Sequence, residues 1–81
     1  RSPLRVYPNP AAAVVYFAAE ETPGERLNLS VTDALGREVR QVAAQQMPIS
    51  LDCSDLPAGT YFFRIVAADA RTVWAGTLMV K

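Results

Sequence analysis

Turn-forming residues punctuate this chain at intervals that favour short strands over any other element. Pro8-Asn9-Pro10, Pro23-Gly24, Asp33 to Gly36, Pro48, Pro57 to Gly59 and Asp69-Ala70 divide it into short pieces. Each piece runs about five to ten residues, the spacing of a β-sandwich or barrel. No segment repeats another, and no low-complexity linker interrupts the series. A length of 81 residues allows one domain with a thin core.

Periodicity within the pieces supports the same reading. In Arg26 to Thr32, Leu27, Leu29 and Val31 alternate with Asn28, Ser30 and Thr32, a period of two. Gly59 to Ala68 sets Tyr61, Phe63 and Ile65 on one face and Phe62, Arg64 and Val66 on the other, which predicts a central, largely covered strand. Arg71 to Val80 places Trp74, Leu78 and Val80 on one side and Val73, Ala75 and Met79 on the other. Leu4 to Tyr7, Ala13 to Ala18 and Ile49 to Cys53 are shorter candidates.

Two stretches are ambiguous on propensity alone. Ala11 to Glu21 is alanine-rich and ends in two glutamates, and Arg37 to Gln46 carries Val39, Val42 and Ala43 at helical spacing. Turn chemistry decides for strands. Asp33-Ala34-Leu35-Gly36 has Asp at the first position of a type I turn and Gly where a left-handed residue follows, the pattern of a hairpin with a glycine bulge. Arg37 onward must then pair back on Arg26 to Thr32. Pro23-Gly24 fits the centre of a type II turn. Asn9, lying before a proline, is pushed out of the helical region, so Pro8-Asn9-Pro10 is expected to be a stiff extended crossover. The fold expected is an all-β, seven-stranded, immunoglobulin-like antiparallel sandwich of two sheets. Tyr61, just inside a strand after the Asp55 to Gly59 corner, further predicts a tyrosine corner, its hydroxyl turned back to backbone near Asp55.

Several function classes are disfavoured by what the chain lacks. Eight acidic and eight basic residues balance, and no Lys/Arg cluster is available to displace counterions from phosphates, so no nucleic-acid partner is expected. The longest apolar run, Ala11 to Ala19, is about half of what crosses a bilayer. There is no basic-then-apolar leader in these residues, and Arg1-Ser2-Pro3 reads like a cut from something longer. The expectation is one module, 1–81, of a larger secreted protein. A single cysteine cannot form an internal disulfide. Without a histidine to activate it, Cys53 reads as a core residue facing inward with Leu51 rather than as a nucleophile. Asp52, Ser54 and Asp55 offer too few oxygens for calcium, which takes about six to eight, and read as turn caps. Zinc lacks its histidine and second cysteine. No catalytic constellation, cofactor or small-molecule substrate is expected. Trp74, Tyr7, Tyr16 and the phenylalanines read as core before they read as a sugar platform. Glu20, Glu21, Glu25 and Arg26 read as a solvated loop.

Four stretches, taken in order, then carry a resemblance. They are Val6-Tyr7-Pro8-Asn9-Pro10-Ala11, Val31 through Val39, Leu51 through Arg64, and the closing apolar strand ending in Lys81. Together they span nearly the whole chain, which resembles the type A C-terminal sorting domain of cargo exported by the type IX secretion system of Bacteroidota. The resemblance implies a seven-stranded sandwich that is recognised in the periplasm by outer-membrane components of the secretion system. The upstream cargo is carried to the cell surface or beyond, a sortase-like peptidase usually removes the domain, and many cargos are joined to anionic lipopolysaccharide. The family's signal lies toward the carboxyl end, which by position implicates Gly59, Tyr61, Val80 and Lys81. Its scissile bond lies ahead of the domain, placing the cut upstream of Arg1 or within the first few residues. Cys53 departs from the ordinary apolar residue usual there. A terminal edge strand further offers backbone groups to a partner by β-augmentation, and the carboxylate beside Lys81 would mark the end of the chain. A monomer is expected, with an edge-strand dimer possible in principle. The alternative function is an adhesive or carbohydrate-binding accessory module, which an exposed row of aromatics on one sheet would favour.

Overall fold

A computed structural model describes residues 3–20, 26–68 and 71–81. The expected turns at Pro23-Gly24 and Asp69-Ala70, and the loop residues Glu21 and Glu25, lie outside the described residues. Among those described there are seven strands and no helix: β1 (Arg5–Tyr7), β2 (Val14–Ala18), β3 (Leu27–Thr32), β4 (Glu38–Ala44), β5 (Ile49–Asp52), β6 (Gly59–Ala67) and β7 (Thr72–Val80). They form two antiparallel sheets, ordered β1-β2-β5 and β4-β3-β6-β7. This is the expected two-layer sandwich, and both ambiguous stretches, as β2 and β4, are strands.

Alternation builds the core. Val15 and Phe17 from one sheet, with Ile49, Leu51 and Cys53, face Leu27, Leu29, Val31, Ile65 and Leu78 from the other, all essentially fully buried. No polar or charged residue is buried among the described residues. The rings of Phe17 and Phe63 meet edge to face across the interior at 5.0 Å, a favoured aromatic geometry. Behind Phe63 lies Gly76, its cross-strand partner. A Cβ there would stand 2.9 Å from the Phe63 ring, so the ring occupies the space a side chain would take.

The β3–β4 hairpin closes as its residues dictate. Gly36 sits at φ 85°, a left-handed conformation that glycine adopts without steric cost. Asp33 Oδ1 accepts the Leu35 and Arg37 amides at 2.9 and 3.0 Å, and Oδ2 accepts Arg37 Nε at 2.9 Å. These bonds, the one from the Arg37 amide foremost, hold the Asp33 carboxyl below its ordinary pKa.

Three sequence expectations are corrected. The outer face of β6 is not covered: the strand is central in its sheet, but Phe62 is 47% exposed, because a sandwich this small buries only one face of each sheet. In β7, Val73 is buried and Trp74 half-buried. The register slips between Ile65 and Val66, pairing Ile65 with Trp74 and Val66 with Thr72. Val73 is thus the extra residue of a bulge, which shifts the alternation by one position. Finally, Pro8 to Pro10 bends rather than runs extended, with cis peptide bonds at Tyr7-Pro8 and Asn9-Pro10.

Both open sides of the sandwich are bridged. A second bulge at Val39, where Val31 pairs with Arg40 and Thr32 with Glu38, re-aims Arg40 toward the inner side of edge strand β4. Its guanidinium donates to the Asp52 carbonyl at 3.3 Å and pairs with the Asp55 carboxylate, so it ties β4 to the far sheet. On the opposite side, the bend after β1 carries the chain from one sheet to the other, where Ala11 forms a parallel bridge with Val80.

Candidate functional site

The residues implicated in signalling meet at one end of the molecule. Gly59 opens β6 directly beside Val80, and Tyr61 lies beside Leu78. The corner leading there is tightly held. Asp52 Oδ1 accepts the Ser54 amide at 3.0 Å and the Ser54 hydroxyl at 2.7 Å, and the Leu56 amide bonds the Cys53 carbonyl. The Ser54 amide is the main reason the Asp52 carboxyl lies below its ordinary pKa. The Cys53 thiol is pushed up by burial, and the neighbouring Asp52 charge adds to this. Asp52 and Asp55 are committed to this turn and to Arg40, as turn-forming residues rather than a cation cage.

Gly59 sits at φ 152°, and a Cβ would meet nothing within 4 Å, so its constraint is conformational and not steric crowding. The Tyr61 hydroxyl donates to the Pro57 carbonyl at 2.6 Å. The tyrosine corner therefore forms, with its acceptor two residues beyond Asp55.

The final residues of β7 do not end in an open edge. The Ala11 amide donates to the Met79 carbonyl and the Lys81 amide to the Ala11 carbonyl, both at 2.8 Å. The Asn9 side-chain carbonyl Oδ1 accepts the Met79 amide at 3.1 Å. The expectation of free backbone groups at this end is thus corrected: the Asn9–Ala11 strap already occupies them. Further back along β7, alternation turns the amides and carbonyls of Ala75 and Thr77 away from β6, and β7 is the last strand of its sheet.

Side-chain exposure sorts the four implicated residues. Tyr61 and Val80 are 5% and 4% exposed, Gly59 has no side chain to offer, and Lys81 is exposed. Accessible side chains at this end include Asn9, Lys81, Met79 and Thr60, the Thr60 hydroxyl meeting the Met79 sulfur at 3.3 Å.

The sequence pattern of the family described as a secretion system C-terminal sorting domain matches residues 5–81. This chain belongs to that family. It is accordingly a C-terminal sorting signal of the type IX secretion system, made to work with that system on a cargo lying upstream and directing export toward the cell surface or outside. The family is one of sorting signals, not of enzymes. No curated protein sequence matches the chain.

In the sorting domain, Asn9 and Ala11 belong to a turn signal and to the first stretch of resemblance, but local sequence patterns did not place them at this end. An asparagine between prolines is a cue, since its short amide can replace a backbone acceptor. Its partner lies 70 residues away, beyond the reach of local patterning. Aromatics divide unevenly. Phe17, Phe63 and Tyr61 are core as expected, but Tyr7 and Tyr16 are 45% and 38% exposed on the three-stranded sheet, stacked at 5.6 Å. They are cross-strand partners in the register of β1 and β2, which explains their contact without a ligand.

Proposed function

We propose that the secretion machinery reads this sorting domain at the end where β6 begins and β7 finishes. Gly59, Tyr61 and Val80 build that end, and Lys81 is presented from it. The observation that carries the reading is their convergence: residues 59 and 61 at the start of β6 and residue 80 at the finish of β7 are brought side by side by one β6–β7 register. The reading agent is an outer-membrane component of the type IX system, met in the periplasm. A sortase-like peptidase then removes the domain by cutting upstream of Arg1 or within the first few residues, and the cargo is left at the surface or in the medium.

Fusing residues 1–81 behind a periplasmic reporter in a host with this system tests both steps. The expected product is extracellular reporter whose mass lacks the domain. Extracellular reporter that retains the domain would remove the peptidase step and keep the export step. Reporter held in the periplasm would remove both.

The alternative, a carbohydrate-binding module, draws on the exposed Tyr7–Tyr16 pair. The two rings stack on each other rather than lying side by side with open faces, so the sorting reading is favoured. Titration of the purified domain with oligosaccharides separates the two, since tyrosine fluorescence shifts only if the pair binds sugar.

A further inference from the structure

Resting on the proposed reading at the β6–β7 end, we infer that Asn9 is a positioning residue of the sorting signal. It acts by holding the last residues of β7 in place. A strand that finishes at a sheet edge frays unless its outward backbone groups find partners. Here they find them in the strap. The Met79 amide donates to the Asn9 side-chain carbonyl, the Met79 carbonyl accepts the Ala11 amide, and the Lys81 amide donates to the Ala11 carbonyl. Three bonds in sequence thus fix residues 79 to 81 against a segment that is itself anchored, because Ala11 is fully buried in the core. The amide of Asn9 stands where a neighbouring strand would place a peptide carbonyl. The strap fixes where Met79 and Lys81, the exposed side chains of the last three residues, stand relative to Thr60. A partner that reads those side chains gains by meeting them already ordered, since immobilising free ends on binding costs affinity.

The signal is therefore a composite of the two ends of the domain. The Pro8-Asn9-Pro10 bend serves it without needing to be touched by the partner.

The test compares three variants of the reporter fusion. Asn9→Ala removes the acceptor, Asn9→Asp keeps an oxygen there, and Asp33→Ala weakens the distant β3–β4 turn as a stability control. In the purified domains, amide exchange at Met79 and Lys81 should quicken in Asn9→Ala and stay slow in the other two. Export should fall about tenfold in Asn9→Ala, near the factor one hydrogen bond to a backbone amide carries in an equilibrium. It should stay close to the unaltered domain in Asn9→Asp and Asp33→Ala. Undiminished export of Asn9→Ala overturns the positioning role while leaving the sorting reading intact. A parallel loss in Asp33→Ala overturns it too, because export would then follow overall stability. Failure of the unaltered fusion to leave the periplasm overturns the sorting reading, and the role of Asn9 with it.

Discussion

Single residues in this domain act chiefly by what they allow their neighbours to do. Gly76 is the clearest case, since the Phe63 ring lies where its side chain would be. Gly76→Ala should destabilise the domain by about 1–3 kcal/mol, the usual range for overpacking. Combining it with Phe63→Leu should cost less than the sum of the two single changes, measured by urea unfolding; strict additivity would show that the ring does not own that space. Asp33 and Asp52 make a second case, through protons. Folding lowers both pKa values below the ordinary 3.8. Each carboxylate therefore stabilises the native state above that pH and surrenders the stabilisation as pH falls through its folded value. Unfolding midpoints should begin to drop as pH falls below about 5 and continue to drop below 3.8, and the Asp33→Asn, Asp52→Asn double variant should show a flatter profile there.

At the level of strands, the two bulges matter more than their size implies. The bulge at Val39 lets Arg40 cross from β4 to the Asp52 carbonyl and the Asp55 carboxylate. Arg40→Ala should cost about 1–2 kcal/mol and quicken amide exchange in β4 and the Asp52–Leu56 corner ahead of the rest. Arg40→Met, which keeps the aliphatic stem, should cost less. Equal exchange across all strands in Arg40→Ala would show that the bridge does not hold that side. These strands were legible in the sequence to differing depths. β3 and β6 announce themselves by a period of two, and β4 follows from the Asp33–Gly36 turn because alanine and valine patterns alone leave helix and strand open. The bulges were not legible. A bulge is settled by what the partner strand places opposite, so Val73 turns inward against the alternation that Trp74, Leu78 and Val80 keep. The candidate site divides the same way. Gly59, Tyr61, Val80 and Lys81 are put forward by resemblance and the tyrosine corner is legible from its spacing, whereas the strap requires contact between distant segments that only the folded register creates.

The whole molecule is two sheets closed along one side by an arginine and along the other by main chain. The second closure joins the first stretch that carries the resemblance, Val6 to Ala11, to the last strand, so segments near the two ends of the sorting domain meet at one end. Both ends lie within the family pattern, which extends over residues 5–81. The central claim is that this folded unit suffices to send a protein through the type IX system. The most direct measurement places the same reporter fusion in two strains that differ only in whether the type IX outer-membrane pore is present. The account predicts extracellular reporter in the strain with the pore and periplasmic reporter in the strain without it. Equal extracellular amounts in both strains, or none in either, would contradict it.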